Sequence, residues 1–373
     1  MFHKTRQKFT VLFVALAATC LLVVPGCGDD SSSDTTEALS TTTVALATTT
    51  TVTPTTTVAP EPVEKPLIVV TTNILGDVVG KAVGDLFDVE TIMPSGADPH
   101  VFQASAKQVD RMMKADLLVV NGANFEEGLL DVIKGAESDG VKVFEAIDSV
   151  DPLEDNDKEE GHDDHDEEGH DDHDEEGHDD HDEEGHDDHH GHDHGGVDPH
   201  FFTDPGRMAQ VVKQLSDFLV INFPEIDEKD LVSHMTDYSK KLEDLDSEVM
   251  QTLSSIPTGS RVMVTNHEVF AYFAESYEFE ILGTIIPSSS TLSNTSAKDL
   301  VDLAEKMKAE GVPAVFVDAS SSDALAEALA GEVDGVKVVS LFSESLGAEN
   351  TAGSTYIDMV RTNSELIASA LTG

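Results

Sequence analysis

The stretch LIVVTT, residues 67–72, sets the reading of the fold. It is a short aliphatic, β-branched run, and a helical pattern follows it directly, which is how a βα unit begins. Three more runs of this kind come next: DVETIM (Asp88–Met93), DLLVVN (Asp116–Asn121) and VKVF (Val141–Phe144). A second set of four starts at RVMVT (Arg261–Thr265) and continues through FEILGTI (Phe279–Ile285), AVFV (Ala314–Val317) and VKVVS (Val336–Ser340). Apolar strands alternating with helices belong to parallel sheets covered on both faces. The expected fold is therefore α/β, with two small four-stranded, mostly parallel lobes at 67–226 and 257–373.

Between the two sets, Pro205 to about Leu253 reads as helix, broken once near Asn222-Phe223-Pro224. After Asp227 the residues Leu231, Met235, Tyr238, Leu242, Leu245 and Val249 recur at three- and four-residue spacing. That pattern predicts a long amphipathic linking helix within 227–256, some 25 residues and roughly 35 Å at about 1.5 Å per residue. A helix of that length between two lobes makes a stiff spine.

The chain is strongly acidic. Of its 373 residues 73 are Asp or Glu and 22 are Lys or Arg, a formal net charge of -51. Such a surface repels nucleic acid and does not adhere electrostatically to anionic head groups. The charge is not uniform, because residues 151–195 hold 24 acidic residues and one Lys, leaving -28 for the other 328. Within that segment the octad EEGHDDHD begins at Glu159, Glu167 and Glu175, and EEGHDDHH at Glu183. Dense like charge and a Gly in every copy argue for a solvated, disordered loop over 151–196. Eleven of the sixteen histidines sit there: His162, His165, His170, His173, His178, His181, His186, His189, His190, His192 and His194. Charge alone does not need imidazole, and His-rich tracts bind metal, so these residues are expected to form multiple weak cation sites.

The N-terminus reads as a processing signal. Lys4, Arg6 and Lys8 precede an uncharged apolar run from Val11 to Val24, and Val24-Pro25-Gly26-Cys27 resembles the lipobox of bacterial lipoproteins. That resemblance implies cleavage after residue 26 and lipid on Cys27, hence an extracytoplasmic protein anchored to the cell membrane. The chain's other cysteine, Cys20, would leave with the signal, so no disulfide is expected. Residues 31–60 contain 17 Ser or Thr and hardly a large hydrophobe, so 27–66 is expected to be an extended tether.

Few histidines remain to be explained. His100 and His200 each close an Asp-Pro-His triplet, where proline fixes its own backbone and restricts the residue before it. His267 follows RVMVT, and Glu344 follows VKVVS in LFSESLG, both at carboxyl ends of strands where ligands of open α/β sheets collect. One lobe thus supplies His100 and His200, the other His267 and a carboxylate. Three imidazoles and a carboxylate suit a borderline cation such as Zn²⁺. Asp318, at the end of AVFVD, is the alternative carboxylate, and His234 on the long helix reads as a surface residue.

At these positions the chain resembles the metal-binding solute-binding lipoproteins of zinc and manganese ABC transporters. The similarity runs from about Leu67 to the C-terminus and rests on VVTTNILGDVVGKAVGD, GADPHVFQASAKQVDRMMKADLLVVNGANFEEGL, DPHFFTDP, NHEVFAYFAESYEFEILG and LFSESLG followed by GSTYIDM. The resemblance implies two lobes joined by a rigid helix with the metal buried in the cleft between them. It places the three His ligands on His100, His200 and His267. Many relatives carry Asp where this chain has Glu344, which leaves Glu344, Asp318 or water as the fourth ligand. The expected function is that of a monomeric, non-enzymatic protein that takes Zn²⁺ as cargo and delivers it to an ABC permease, the His-rich loop gathering metal. Mn²⁺ or Fe²⁺ as cargo is the alternative within the family. A surface adhesin or a secreted zinc hydrolase, with Glu268 as its general base, is the alternative outside it.

Overall fold

The structure is a computed structural model and describes residues 64–154 and 196–373. The expected signal segment, Cys27 and all eleven histidines of the acidic run lie outside those residues. The described residues begin with β1 (Leu67–Val70), α1 (Asn73–Val83), β2 (Asp88–Thr91), α2 (Ala106–Met112), β3 (Leu117–Val120), α3 (Leu130–Ser138) and β4 (Lys142–Glu145). These strands form one wholly parallel sheet in the order β2-β1-β3-β4. Two helices follow, α4 (Pro205–Asn222) and α5 (Glu228–Leu253). The remainder is β5 (Val262–Thr265), α6 (Ala271–Tyr277), β6 (Glu280–Thr284), α7 (Ala297–Glu310), β7 (Ala314–Asp318), α8 (Ala324–Glu332), β8 (Lys337–Leu341) and α9 (Tyr356–Thr372). Its strands repeat the first topology as a second parallel sheet, β6-β5-β7-β8. The chain leaves and re-enters the described region at an antiparallel bridge between Glu154 and Val197.

The central strands of both sheets are apolar on both faces, and the alternation along a strand divides residues between separate cores. Ile68 and Val70 of β1 and Leu117 and Val119 of β3 point to one interior cluster, whereas Val69, Leu118 and Val120 point to another under α2 and α3. In the second sheet Ala314 and Phe316 of β7 face inward, and Val315 and Val317 face the core beneath α7 and α8. The two inward faces belong to a single cluster, and α5 runs through it. The six apolar positions of α5 that define its periodicity are all buried there. At 26 residues α5 is about 39 Å long. Asp227 caps its start by accepting from Asp230 N at 3.0 Å. The spine is therefore packed into a core that both lobes share, against α1 and α4 on one side and α9 on the other.

Truncating a spine residue should destabilise both lobes together. Leu242→Ala, at a fully buried position of α5, is expected to cost about 2–5 kcal/mol. Val232→Ala, 40% exposed on the same helix, should stay within about 0.5 kcal/mol. Urea unfolding of both variants, followed as a single cooperative transition, checks this.

Candidate metal centre

The loops that leave the carboxyl ends of the strands face one another across the boundary between the lobes. After β2 the Asp98-Pro99-His100 turn is closed by Asp98 Oδ1, which accepts from His100 N at 2.9 Å. The Asp198-Pro199-His200 turn is closed in the same way at 2.8 Å. Each aspartate thus caps the amide two residues on, as an Asx turn does. After β5, Thr265 Oγ1 donates to His267 O at 2.7 Å and fixes that backbone. After β8, Asn363 of α9 clasps Phe342, donating to its carbonyl at 2.7 Å and accepting from its amide at 2.9 Å. Glu344 follows two residues later.

These four side chains converge. His267 Nε2 lies 2.8 Å, His100 Nε2 3.0 Å and His200 Nε2 3.3 Å from the same atom, Glu344 Oε1. One ligand atom from each residue lies within 4.8 Å of the others, and all four residues are buried. Phe125 packs edge-on against two of the imidazoles, 5.0 Å from His100 and 5.4 Å from His200 by ring centroids. Phe125 thus gives the cluster an apolar flank, and the charge of these buried groups must be balanced largely from within.

That balance shifts the titration of two members. Burial alone would pull His200 down, but the charge and hydrogen bond of Asp198, and then Glu344, outweigh it and push the imidazole up to about 9. For Glu344 burial would raise the carboxyl, yet the charge of His267 and the bonds from the three imidazoles hold it well below the usual carboxylate range. An ionised carboxylate among three imidazoles is the donor set a borderline divalent cation takes, and a cation arriving there displaces a proton.

Supporting residues orient the cluster. His200 Nδ1 meets Asp198 Oδ1 at 2.8 Å, and His100 Nδ1 meets Glu127 Oε1 at 3.1 Å. Carboxylates behind metal-facing imidazoles fix the tautomer and aim the outer nitrogen. Glu127 reaches His100 because the turn carrying it lies against the loop: a Cβ on Gly128 would stand 2.1 Å from the Phe102 carbonyl oxygen. Its neighbour Glu126 is a different case. It is buried beneath the site and accepts from Thr71 Oγ1 at 2.5 Å and Asn121 N at 2.7 Å, and burial raises its carboxyl.

Asp318 is not brought into the cluster. Its Oδ2 accepts from Ser343 N at 3.0 Å, Ser343 Oγ at 2.6 Å and Glu344 N at 3.2 Å, so it holds the loop that presents Glu344. Glu268 also stands outside the cluster. His234 is exposed on α5, with Nδ1 3.4 Å from Val83 O. Glu127 escaped the sequence reading, because nothing local separates it from Glu126.

With the geometry in hand, comparison with known proteins assigns the class. A family model described as ZnuA, zinc-uptake complex component A, periplasmic, matches residues 68–370, and the chain belongs to that family of metal ABC transporter substrate-binding proteins. The zinc-binding protein TroA of Treponema pallidum is 28% identical over 313 residues, 82% of this chain and 89% of TroA. The manganese ABC transporter substrate-binding lipoprotein PsaA of Streptococcus anginosus is 26% identical over 319 residues, 83% of this chain and 90% of PsaA. Among solved structures, TroA superposes with a TM-score of 0.66 at 26% identity, covering 82% of this chain and 99% of that one. A Mn-bound periplasmic metal-binding protein from Candidatus Liberibacter asiaticus shares the fold, with a TM-score of 0.66 at 18% identity, over 82% of this chain and all of that one. The expected α/β architecture and the expected family are both found. The names of the relatives divide between zinc and manganese.

Two outcomes are expected at the cluster. Asp318→Ala removes none of the four converging side chains but frees the loop that presents Glu344, and should weaken metal binding by about 10–100-fold in a competition titration. The folded-state pKa of His200 lies above its ordinary 6.5, so its stabilisation is complete below about pH 6.5 and is lost as the pH rises through 9. Urea unfolding should therefore show the metal-free protein losing stability across that window and the loaded protein losing less. Calorimetry near pH 7 in buffers of different ionisation enthalpy should show about one proton released per cation.

Proposed function

We propose that this chain captures Zn²⁺ outside the cytoplasm, through His100, His200, His267 and Glu344, and hands it to an ABC permease. The observation that carries the reading is the convergence of three buried imidazole nitrogens on one ionised carboxylate oxygen. A nitrogen-rich set favours Zn²⁺ over harder cations. Four protein ligands around one ion also leave no open position for a reacting water, which suits holding a cargo rather than hydrolysis. The acidic run supports the same cargo, since its eleven histidines add nitrogen donors and its carboxylates concentrate cations by their field. In this reading the run gathers Zn²⁺ at weak sites and passes it to the cluster, while lipid on Cys27 keeps the protein near the permease. Acidification would empty the run as its imidazoles protonate.

Mn²⁺ is the second reading, and one observation favours it. Glu344 Oε2 has no hydrogen-bond partner among the described residues, so both carboxylate oxygens are available to one ion. A second oxygen would serve a harder cation that takes more ligands.

Competition titration of the protein with Zn²⁺ and Mn²⁺ decides between the two. The expected result is one tight Zn²⁺ site that survives deletion of 155–195 and is lost in the His100→Ala, His200→Ala, His267→Ala triple variant. Stoichiometric tight zinc in that deleted triple variant would refute the site. For the run, deletion of 155–195 should slow zinc uptake by cells at limiting zinc and leave uptake at ample zinc unchanged.

A further inference from the structure

The two Asp-Pro-His turns match in sequence and in the His amide that each aspartate caps, yet their imidazoles are held from different places. Asp198 Oδ1 takes both the amide and the Nδ1 of His200, each at 2.8 Å, so that ring is oriented from within its own turn. Asp98 takes only the amide of His100, and its other oxygen accepts from Thr291 Oγ1 at 2.8 Å. The Nδ1 of His100 goes to Glu127 Oε1, and the same oxygen accepts from Ser290 Oγ at 2.5 Å. Ser290 Oγ is fixed in turn by Leu292 N at 3.2 Å. Both carboxylates that hold His100 therefore receive hydroxyl groups from consecutive residues in the loop between β6 and α7, on the opposite lobe.

The other three members of the cluster carry most of their ties to the C-terminal lobe, although Asn121 of the first lobe donates to Pro199 O at 2.9 Å and Asn73 of α1 accepts from Leu346 N at 2.8 Å. His267 and Glu344 arise from it. His200 comes from the chain before α4, but its segment is anchored across the boundary. Tyr272 of α6 donates to Asp198 O at 2.7 Å, Tyr356 of α9 donates to Phe202 O at 2.8 Å, and Ser276 of α6 donates to Asp204 Oδ2 at 2.5 Å. Arg207 joins Asp204 to Glu275 of α6. The loop before His100 has its own tether across the boundary, Gly96 N to Ser345 Oγ at 2.7 Å, which bears on backbone and not on the imidazole. A cavity of about 440 Å³ lies against this corner, lined by Phe125, Glu127, Ser290 and, of the four cluster residues, His100 alone.

We propose that Ser290 and Thr291 are positioning residues that latch the metal site shut through Glu127 and Asp98. His200, His267 and Glu344 form a platform moving with the C-terminal lobe. His100 completes the coordination only when both hydroxyls have engaged its two carboxylates. The cation is released by loss of His100 first, towards the cavity that His100 lines. This rests on reading the cluster as a cation site, and the test separates the two.

Full-length protein carrying one equivalent of Zn²⁺ is mixed with excess chromophoric chelator in a stopped-flow instrument. The slow phase that vanishes in His267→Ala reports the cluster, and absence of any such phase in the wild type would overturn the cation-site reading itself. With that phase present, the Ser290→Ala, Thr291→Val double variant is expected to release Zn²⁺ about tenfold faster or more, the scale of one lost hydrogen bond to a charged acceptor. Ser290→Thr with Thr291→Ser, which keeps both hydroxyls, should restore slow release. The Co²⁺-loaded double variant should show an altered visible band, because one imidazole is no longer aimed, while its metal-free thermal midpoint matches the wild type. Release at the wild-type rate would overturn the latch. So would faster release with an unchanged Co²⁺ band and a lowered metal-free midpoint, which is what a merely structural role gives.

Discussion

A carboxylate that is 2% exposed and ionised is the constraint on which the site depends. Taking such a charge out of water is expensive unless positive charge or aligned donors replace the solvent. Glu344 finds that replacement in three imidazole nitrogens and, by its chemistry, in a divalent cation. Each imidazole arrives on a separate loop, and the loops come from both lobes. The carboxylate is therefore compensated only when two sheets present their carboxyl ends to one another, and that requirement sets the relative placement of everything near the cleft.

Two kinds of force share that task. Far from the site the lobes are joined by apolar packing, with α5 buried in a core to which Ile68, Val119, Phe316 and Ile367 all contribute. Near the site the lobes meet through hydroxyls, amides and carboxylates: Asn73 and Gly96 on Ser345, Asp98 on Thr291, Glu127 on Ser290. Apolar contact resists separation at any distance, because exposed hydrocarbon is unfavourable whatever else replaces it. Hydrogen bonds exchange for water at small net cost once separation admits it. A protein that must hold a cation and later give it up is served by a fixed apolar back and a polar front.

Much of the frame is legible in the chain. The eight strands sit within a residue or two of the runs that announce them, because a buried parallel strand must be apolar on both faces, as Val69 and Val70 are. The stripe on α5 is legible for a similar reason: burial of one helix face enforces the spacing of Leu231, Met235 and Tyr238. The ends of elements are less legible. Ile92 and Met93 continue the apolar run of β2 but lie beyond its ladder, where their amides bond Val70 O and Thr71 O in the turn towards His100. At the site the sequence marks His100, His200, His267 and Glu344, since Pro-stiffened turns and strand ends stand out locally. It is silent on Glu127, which differs from Glu126 only in which way its side chain faces.

The sequence by itself determined the α/β class, the doubled four-strand pattern, the spine and three histidines that meet, each resting on periodicity or on a turn a few residues long, and it left the carboxylate open between Glu344 and Asp318. Only the tertiary structure decided that Asp318 braces the loop while Glu344 enters the cluster, since both lie at or just past the carboxyl end of a strand and both are buried acids. Only it decided that His200, which precedes the spine in the chain, is bolted to α6 and α9 beyond it. Those outcomes rest on hydrogen bonds such as Tyr272 to Asp198 and Tyr356 to Phe202, between residues 74 and 154 positions apart. A contact at that separation leaves no local pattern, because what selects it is the packing of the two sheets about their common helix.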